Sequence, residues 1–251
     1  MSERRERTRS TLVAVVVYTI RACLPATRRL ALLAPCAGAL LFGLLAPHVD
    51  DGTANEAFAT VAGVGLFALV LPISCLVVGD SVLGAEVRSG AFSFTWLSPV
   101  PFTVIVLGRW LAGLAIAGVT VVPAMALAAL VAGAPEALGA TVAASIAGVA
   151  AYLGLFLLIG CATRRAAVWS LAVVFLVEGL LGEALTGVAQ LSPTWQSQTA
   201  FAGLAPGAED LLREGIPDGS AALVRLALIT VVTLALATWR LARLELTAGS
   251  D

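Results

Sequence analysis

From residue 30 to residue 238 the chain alternates between long apolar stretches and short polar breaks, and no other feature constrains its fold as strongly. Leu30 to about Val49 follows Arg28-Arg29 and stops at Asp50-Asp51-Gly52. Ala57 to about Val78, Trp110 to about Ala132, Leu138 to Ala162, Ala166 to about Gly187 and Ala221 to Thr238 repeat the pattern. A bilayer core takes about twenty apolar residues as a helix, and each stretch is close to that length. Six spans are therefore expected. Composition agrees: 59% of the 251 residues are apolar, 12% are charged, and mean hydropathy is +0.98, outside the range of soluble domains. The fold class expected is an all-α integral membrane protein, a single transmembrane domain over residues 1–251.

The arginines orient it. All fifteen basic residues are arginine, and basic residues are retained on the cytoplasmic side. With both termini cytoplasmic, thirteen fall inside, at positions 4, 5, 7, 9, 21, 28, 29, 88, 109, 164, 165, 240 and 243. Only Arg213 and Arg225 fall at or near the outer side. The reverse topology would invert that bias. Met1 to Ser10 is polar and basic, and Thr11 to Leu24 is too short to span and is ended by Arg21 and Pro25, so an interfacial helix is expected within residues 1–29. A signal peptide is the rival reading, with Arg21-Ala22-Cys23 as a faint cleavage site. Arg21 fits that role poorly, and cleavage would leave Arg28 and Arg29 on the outer face.

Several chemistries find no footing. Without lysine no Walker A loop can be written, so any ATP that drives this protein is bound by another chain. Cys23, Cys36, Cys75 and Cys161 lack paired spacing and read as small apolar packers. His48 stands alone near the outer end of the first span, and no G-x-S-x-G elbow occurs, which argues against a metal site and against a membrane-embedded hydrolase. On the fourth span small residues recur four apart, as Ala140, Ala144 and Gly148 and as Ala143, Ala147 and Ala151, a spacing that lets helices approach closely.

The longest cytoplasmic connection, residues 80–109, carries the most unusual pattern. Glu86, Arg88 and Gly90 are followed by Phe92, Phe94, Trp96 and Leu97 interleaved with small residues, then by Ser98, Pro99, Val100 and Pro101. So much aromatic area in a wet loop needs cover from the bilayer interface or from a partner. Leu107-Gly108-Arg109-Trp110-Leu111-Ala112 opens the third span.

In these residues the chain resembles the ABC-2 type transporter permeases. That family shows an E-R-E-x-G-T-like start, a leucine-rich helix, an S-x-P-V-like stop and an L-G-[RK]-x-L-A-like entry. The chain departs in lacking the second acidic residue and in having Phe102 and Thr103 where a basic residue often follows. The resemblance implies a coupling helix at Ala85 to Leu97, with Glu86, Arg88, Gly90, Phe92, Phe94, Trp96, Leu97 and Pro99 engaging a separate ABC ATP-binding subunit that holds ATP and magnesium. This chain would bind no cofactor and carry out no covalent chemistry. It also implies a second permease copy or paralogue, contact with membrane lipid, no nucleic acid, a bacterial inner membrane location, and export of an amphiphilic or drug-like substrate.

Glu178 and Glu183 interrupt the fifth span. A carboxylate at mid-bilayer costs about 2.5–3.5 kcal/mol on insertion scales, so Glu178 is expected to be protonated, paired or beside a wet path. Glu178, Glu183 and Arg225, a plausible ion partner in the outer part of the sixth span, are the candidates for a translocation path or gate. A wet outer vestibule is the alternative setting for both glutamates. The outer segment Val188 to Ser220 is rich in Pro, Gly and acidic residues. The resemblance implies re-entrant gate helices over Leu180 to Ala202; an ordinary lid loop is the alternative. A carrier or immunity-type membrane protein with no ATPase remains the competing function, kept open by Glu178.

Overall fold

The computed structural model describes residues 2–23, 26–49, 52–84, 100–163 and 165–243, and within them all regular structure is helical. Helix α1 is Ser2–Cys23 and α2 is Ala26–Leu45, followed by a single turn, Ala46–His48. The long helices are α3 (Ala54–Val82), α4 (Phe102–Val131), α5 (Leu138–Ala162), α6 (Ala166–Ala184) and α9 (Gly219–Ala242). Between α6 and α9 lie two short helices, α7 (Thr186–Ala189) and α8 (Pro193–Ala202). Helices α3, α4, α5 with its lead-in turn, α6 and α9 are each long and apolar enough to cross a bilayer. The apolar part of α2 within the described side chains, Leu33–His48, is shorter.

Local signals explain where these helices begin. Thr53 and Glu56 form a capping box: the Glu56 N–H donates to Thr53 Oγ1 (3.3 Å) and the Thr53 N–H donates to Glu56 Oε2 (2.9 Å). Two of the orphan donors at the helix start are thereby satisfied, and α3 starts three residues before its apolar run. Pro101 stands at the N-cap of α4, so this helix begins at Phe102, five residues ahead of the start expected near Leu107 and eight ahead of the span start at Trp110. Pro123 lies inside α4. Helix thus enters the connection 80–109 from both sides, through Asp80–Gly84 and Phe102 onward.

Helix α5 is the hub. It packs against α4, α9, α8 and the Leu71–Gly79 part of α3, while α2 and α1 lie along α4. Close approach depends on glycine in places. A Cβ on Gly43 of α2 would lie 2.6 Å from the Ala128 carbonyl oxygen of α4, and one on Gly108 of α4 would lie 2.6 Å from Val15 Cγ1 of α1. Of the two small-residue stripes on α5, Ala140, Ala144 and Gly148 are buried, whereas Ala143 and Ala147 are half-buried beside the buried Ala151. Helices α6 and α9 are peripheral: 28% and 33% of their most apolar windows are buried, against 67% for α3. Their outward faces carry Val168, Trp169, Phe175, Leu176 and Leu180 on α6, and Val224, Leu228, Val231 and Val232 on α9. Surfaces this apolar suit a hydrocarbon surround.

Two helices depart from ordinary winding. Asp80–Gly84 at the end of α3 is wound wide, with i→i+5 turns, and so are two longer stretches, Ala62–Val70 in α3 and Val173–Leu181 in α6. Such turns disturb the regular pairing of main-chain carbonyls and are frequent at functional sites. Both longer stretches face α8.

Candidate functional site

Helix α8 is polar by sequence and buried by position. Pro193, Thr194 and every residue from Gln196 to Ala202 are buried, and only Trp195 is half-exposed. Ser192 caps it, its Oγ accepting from the Trp195 N–H at 3.4 Å, and Pro193 follows at the first helical position, where its missing N–H costs nothing. At its far end Phe201 stacks against Phe58 and Phe67 of α3, with ring centroids 5.9 and 5.3 Å away. Gln198 Nε2 donates to the Gly63 carbonyl in the wide turns of α3 (2.8 Å), and Gln196 Nε2 donates to the Gln190 carbonyl (3.1 Å). The groove has no slack. A Cβ on Gly148 of α5 would stand 2.5 Å from Ser197 Oγ, and one on Gly182 of α6 would stand 2.6 Å from Trp195 Nε1.

The polar end of this groove centres on Glu178, which is 4% exposed. Its Oε2 accepts from Tyr152 Oη at 2.6 Å, from Ser192 Oγ at 2.8 Å and from the Thr194 N–H at 3.2 Å. Tyr152 Oη also contacts Thr194 Oγ1. Behind the carboxyl, Trp195 Nε1 donates to the Glu178 main-chain carbonyl at 3.1 Å. The wide winding of α6 leaves that carbonyl available to the indole. The carboxyl therefore sits on the N-terminus of α8, where the helix dipole and a main-chain N–H both face an acceptor. Its partners come from α5, from α8 and from the residue before it.

The other charged candidates are placed differently. Glu183 is exposed at the end of α6, and Arg225 is half-buried on α9. The partners of Glu178 are neutral hydroxyls and an amide rather than Arg225. The basic residue that reaches this region is Arg213, from the outer segment. Its Nη1 donates to the Gly182 carbonyl at 3.0 Å, its Nη2 to the Glu183 carbonyl, and its guanidinium lies 4.7 Å from the centroid of the Trp195 ring. A cation at the carbonyl end of α6 favours the helix dipole and closes the last turn.

Glu86, Arg88, Gly90, Phe92, Phe94, Trp96, Leu97 and Pro99 lie outside the described residues. The motif residues just beyond them are within. Arg109 is 2% exposed and its Nη1 donates to the Val82 carbonyl at 2.8 Å, tying the start of α4 to the end of α3. Gly108 lets α1 cross at the same level. Both ends of the loop are thus fixed to one another and to the amino-terminal helix.

Tyr152, Ser192, Thr194, Trp195 and Arg213 were not singled out as partners of the glutamates by sequence. Ser192-Pro193 was a legible helix start, and Tyr152, one of two tyrosines, was a polar handle in an otherwise apolar span. No protein-family model matches this chain, and no curated protein matches it.

Proposed function

We propose that the chain is the membrane-spanning subunit of an ABC-2 type exporter, in which a separate ATPase grips the connection between α3 and α4. The observation that carries this reading is the sequence of that connection, Glu86 to Ala112, with its aromatic run bracketed by the E-x-R-x-G and L-G-R-W-L-A elements. Its anchorage supports the same reading. With Arg109 bonded to the end of α3 and Gly108 packed under α1, a push on the loop moves three helices together instead of bending a tether.

In this reading α2 completes a set of six spans, with α1 along the inner surface and both termini in the cytoplasm of a bacterium. ATP binding closes two ATPase subunits, the loops follow, and a path between two permease copies or paralogues alternates its access. Helix α8 is then the outer gate, a short re-entrant element held at one end by Glu178 and at the other by Phe201. Substrate passes without any bond being made or broken by this chain. The apolar walls suit an amphiphile.

The test is purification of the chain in mild detergent, with and without Phe92→Glu, Phe94→Glu and Trp96→Glu. An ATP-hydrolysing protein should accompany the native chain and be lost from the triple variant, while the spans stay folded. Equal recovery of that ATPase with both chains refutes the assignment. The competing reading, a carrier with no ATPase, draws on the buried Glu178, since intramembrane carboxyls mark ion-coupled transport. Transport that persists when the companion ATPase is deleted would select it.

A further inference from the structure

Among the acidic residues whose side chains are described only Glu178 is buried, and all of its side-chain bonds fall on one oxygen. The other, Oε1, is buried with no hydrogen-bond partner. The titratable and charged groups around it are few. Tyr152 reaches it from α5, and the buried thiol of Cys75 belongs to the part of α3 that packs on α5. Glu183 on α6 points to solvent, and Arg213 is engaged by the Gly182 and Glu183 carbonyls and the Trp195 ring. Among the described residues no cation bonds the carboxyl.

An ionised carboxyl spreads its charge over both oxygens, and the share on Oε1 would meet neither donor nor cation. A neutral carboxyl fits the same heavy atoms without moving them. Hydroxyl hydrogens rotate freely to suit their partners. The acid O–H on Oε2 donates to Tyr152 Oη, the Tyr152 O–H turns to Thr194 Oγ1, and Ser192 Oγ–H and the Thr194 N–H keep donating to Oε2. Oε1 is then an uncharged carbonyl oxygen.

We propose that Glu178 is a proton-binding site coupled to α8, loaded while α8 is seated and emptied when α8 leaves the groove. Two of its partners, Ser192 and Thr194, sit at the N-terminus of α8, so displacement of that helix uncovers the carboxyl. The carboxylic O–H then breaks, the proton passes to solvent, and the carboxylate is left hydrated. By linkage, each unit of pH above the solvated carboxyl's titration shifts the balance about tenfold toward the displaced helix, until the seated carboxyl itself ionises and the balance levels off. The ligand is a proton, which needs no cavity, and the groove around Gly148 and Gly182 has none to spare. This inference stands on the cluster alone, whether or not an ATPase drives the protein.

The test uses the full chain in lipid nanodiscs and follows amide exchange in α8 as pH is varied, comparing the native chain with Glu178→Gln. The glutamine keeps an oxygen toward the three donors and cannot ionise. Protection of α8 in the native chain, divided by that of the variant at the same pH, should fall about tenfold per pH unit above a midpoint. Infrared spectra should show a carboxylic-acid C=O band at neutral pH that the variant lacks. A ratio that stays flat with pH, or spectra without such a band, overturns the proposal. Should Glu178→Gln fail to fold, Tyr152→Phe serves. It keeps the acid and removes the hydroxyl that receives the acid's hydrogen bond in the seated state, so the pH at which the tenfold fall levels off should move, and an unmoved levelling point overturns the proposal equally.

Discussion

Replacing Glu178 by alanine and by glutamine separates a structural latch from an incidental buried acid. In Glu178→Ala the Ser192 hydroxyl and the Thr194 N–H lose their acceptor, while Tyr152 keeps Thr194 Oγ1. A buried donor left without a partner costs about 1–3 kcal/mol, so two of them cost about 2–6 kcal/mol. In Glu178→Gln the acceptor oxygen stays, but the new amide NH2 takes the buried place of Oε1, where no acceptor meets it, for a loss of about 1–3 kcal/mol. In chains of this size each kcal/mol moves the unfolding midpoint by roughly 2–4 °C, so alanine should lower it by roughly 4–24 °C and glutamine by about half as much, roughly 2–12 °C. The buried native thiols of Cys23, Cys75 and Cys161 report the transition through a fluorogenic thiol reagent during heating. Equal midpoints for the two variants would refute the reasoning, because the three bonds on Oε2 would then carry no measurable weight.

Three further outcomes follow from the same geometry. Arg213→Gln removes two bonds to the end of α6 and the stacking on Trp195, and should cost about 1–3 kcal/mol, whereas Arg225→Gln should stay within about 0.5 kcal/mol; the reverse order in thermal unfolding would return Arg225 to the site. Gly108→Val forces a side chain into Val15, so amide exchange in α1 should rise while α5 stays protected; unchanged exchange in α1 would show that the crossing is not made there. Single cysteines at His48, Glu136 and Glu183 should react with an impermeant reagent from outside intact cells, and one at Arg165 should not; inner labelling of any of the first three would break the six-span topology.

Helix identity was legible in the sequence because a hydrocarbon surround forces long apolar runs, and nothing subtle is needed to see them. Helix ends were less so. Residues 54–56 include Asn55 and Glu56, and their helicity comes from the capping box at Thr53; residues 102–107 are largely apolar but lie beyond Arg109, which marks an inner boundary of the span, and Pro101 starts the helix ahead of it. Glu178 was visible as a cost that had to be offset, but its offsets were not. They are a tyrosine 26 residues before it and a serine and an amide 14 and 16 residues after it, all neutral, where a search for an opposite charge leads to Arg225. The burial of α8 was also hidden. By composition Thr194, Gln196, Ser197, Gln198 and Thr199 read as a wet lid loop, the alternative to the re-entrant helices that the resemblance implies, and the carbonyls at Gly63 and Glu178 in wide turns give such a polar helix partners inside. Such turns leave no spacing in the sequence, because they alter the winding and keep the apolar character.

The account rests on aromatic side chains under the inner membrane surface being held by an ATP-driven partner, and a photo-crosslinking amino acid in place of Trp96 asks the membrane in living cells what holds them. The account predicts a single predominant adduct with a soluble protein that hydrolyses ATP, lost when Glu86 and Arg88 are both changed to alanine. Adducts with lipid alone, or with no ATP-hydrolysing protein among them, would contradict it.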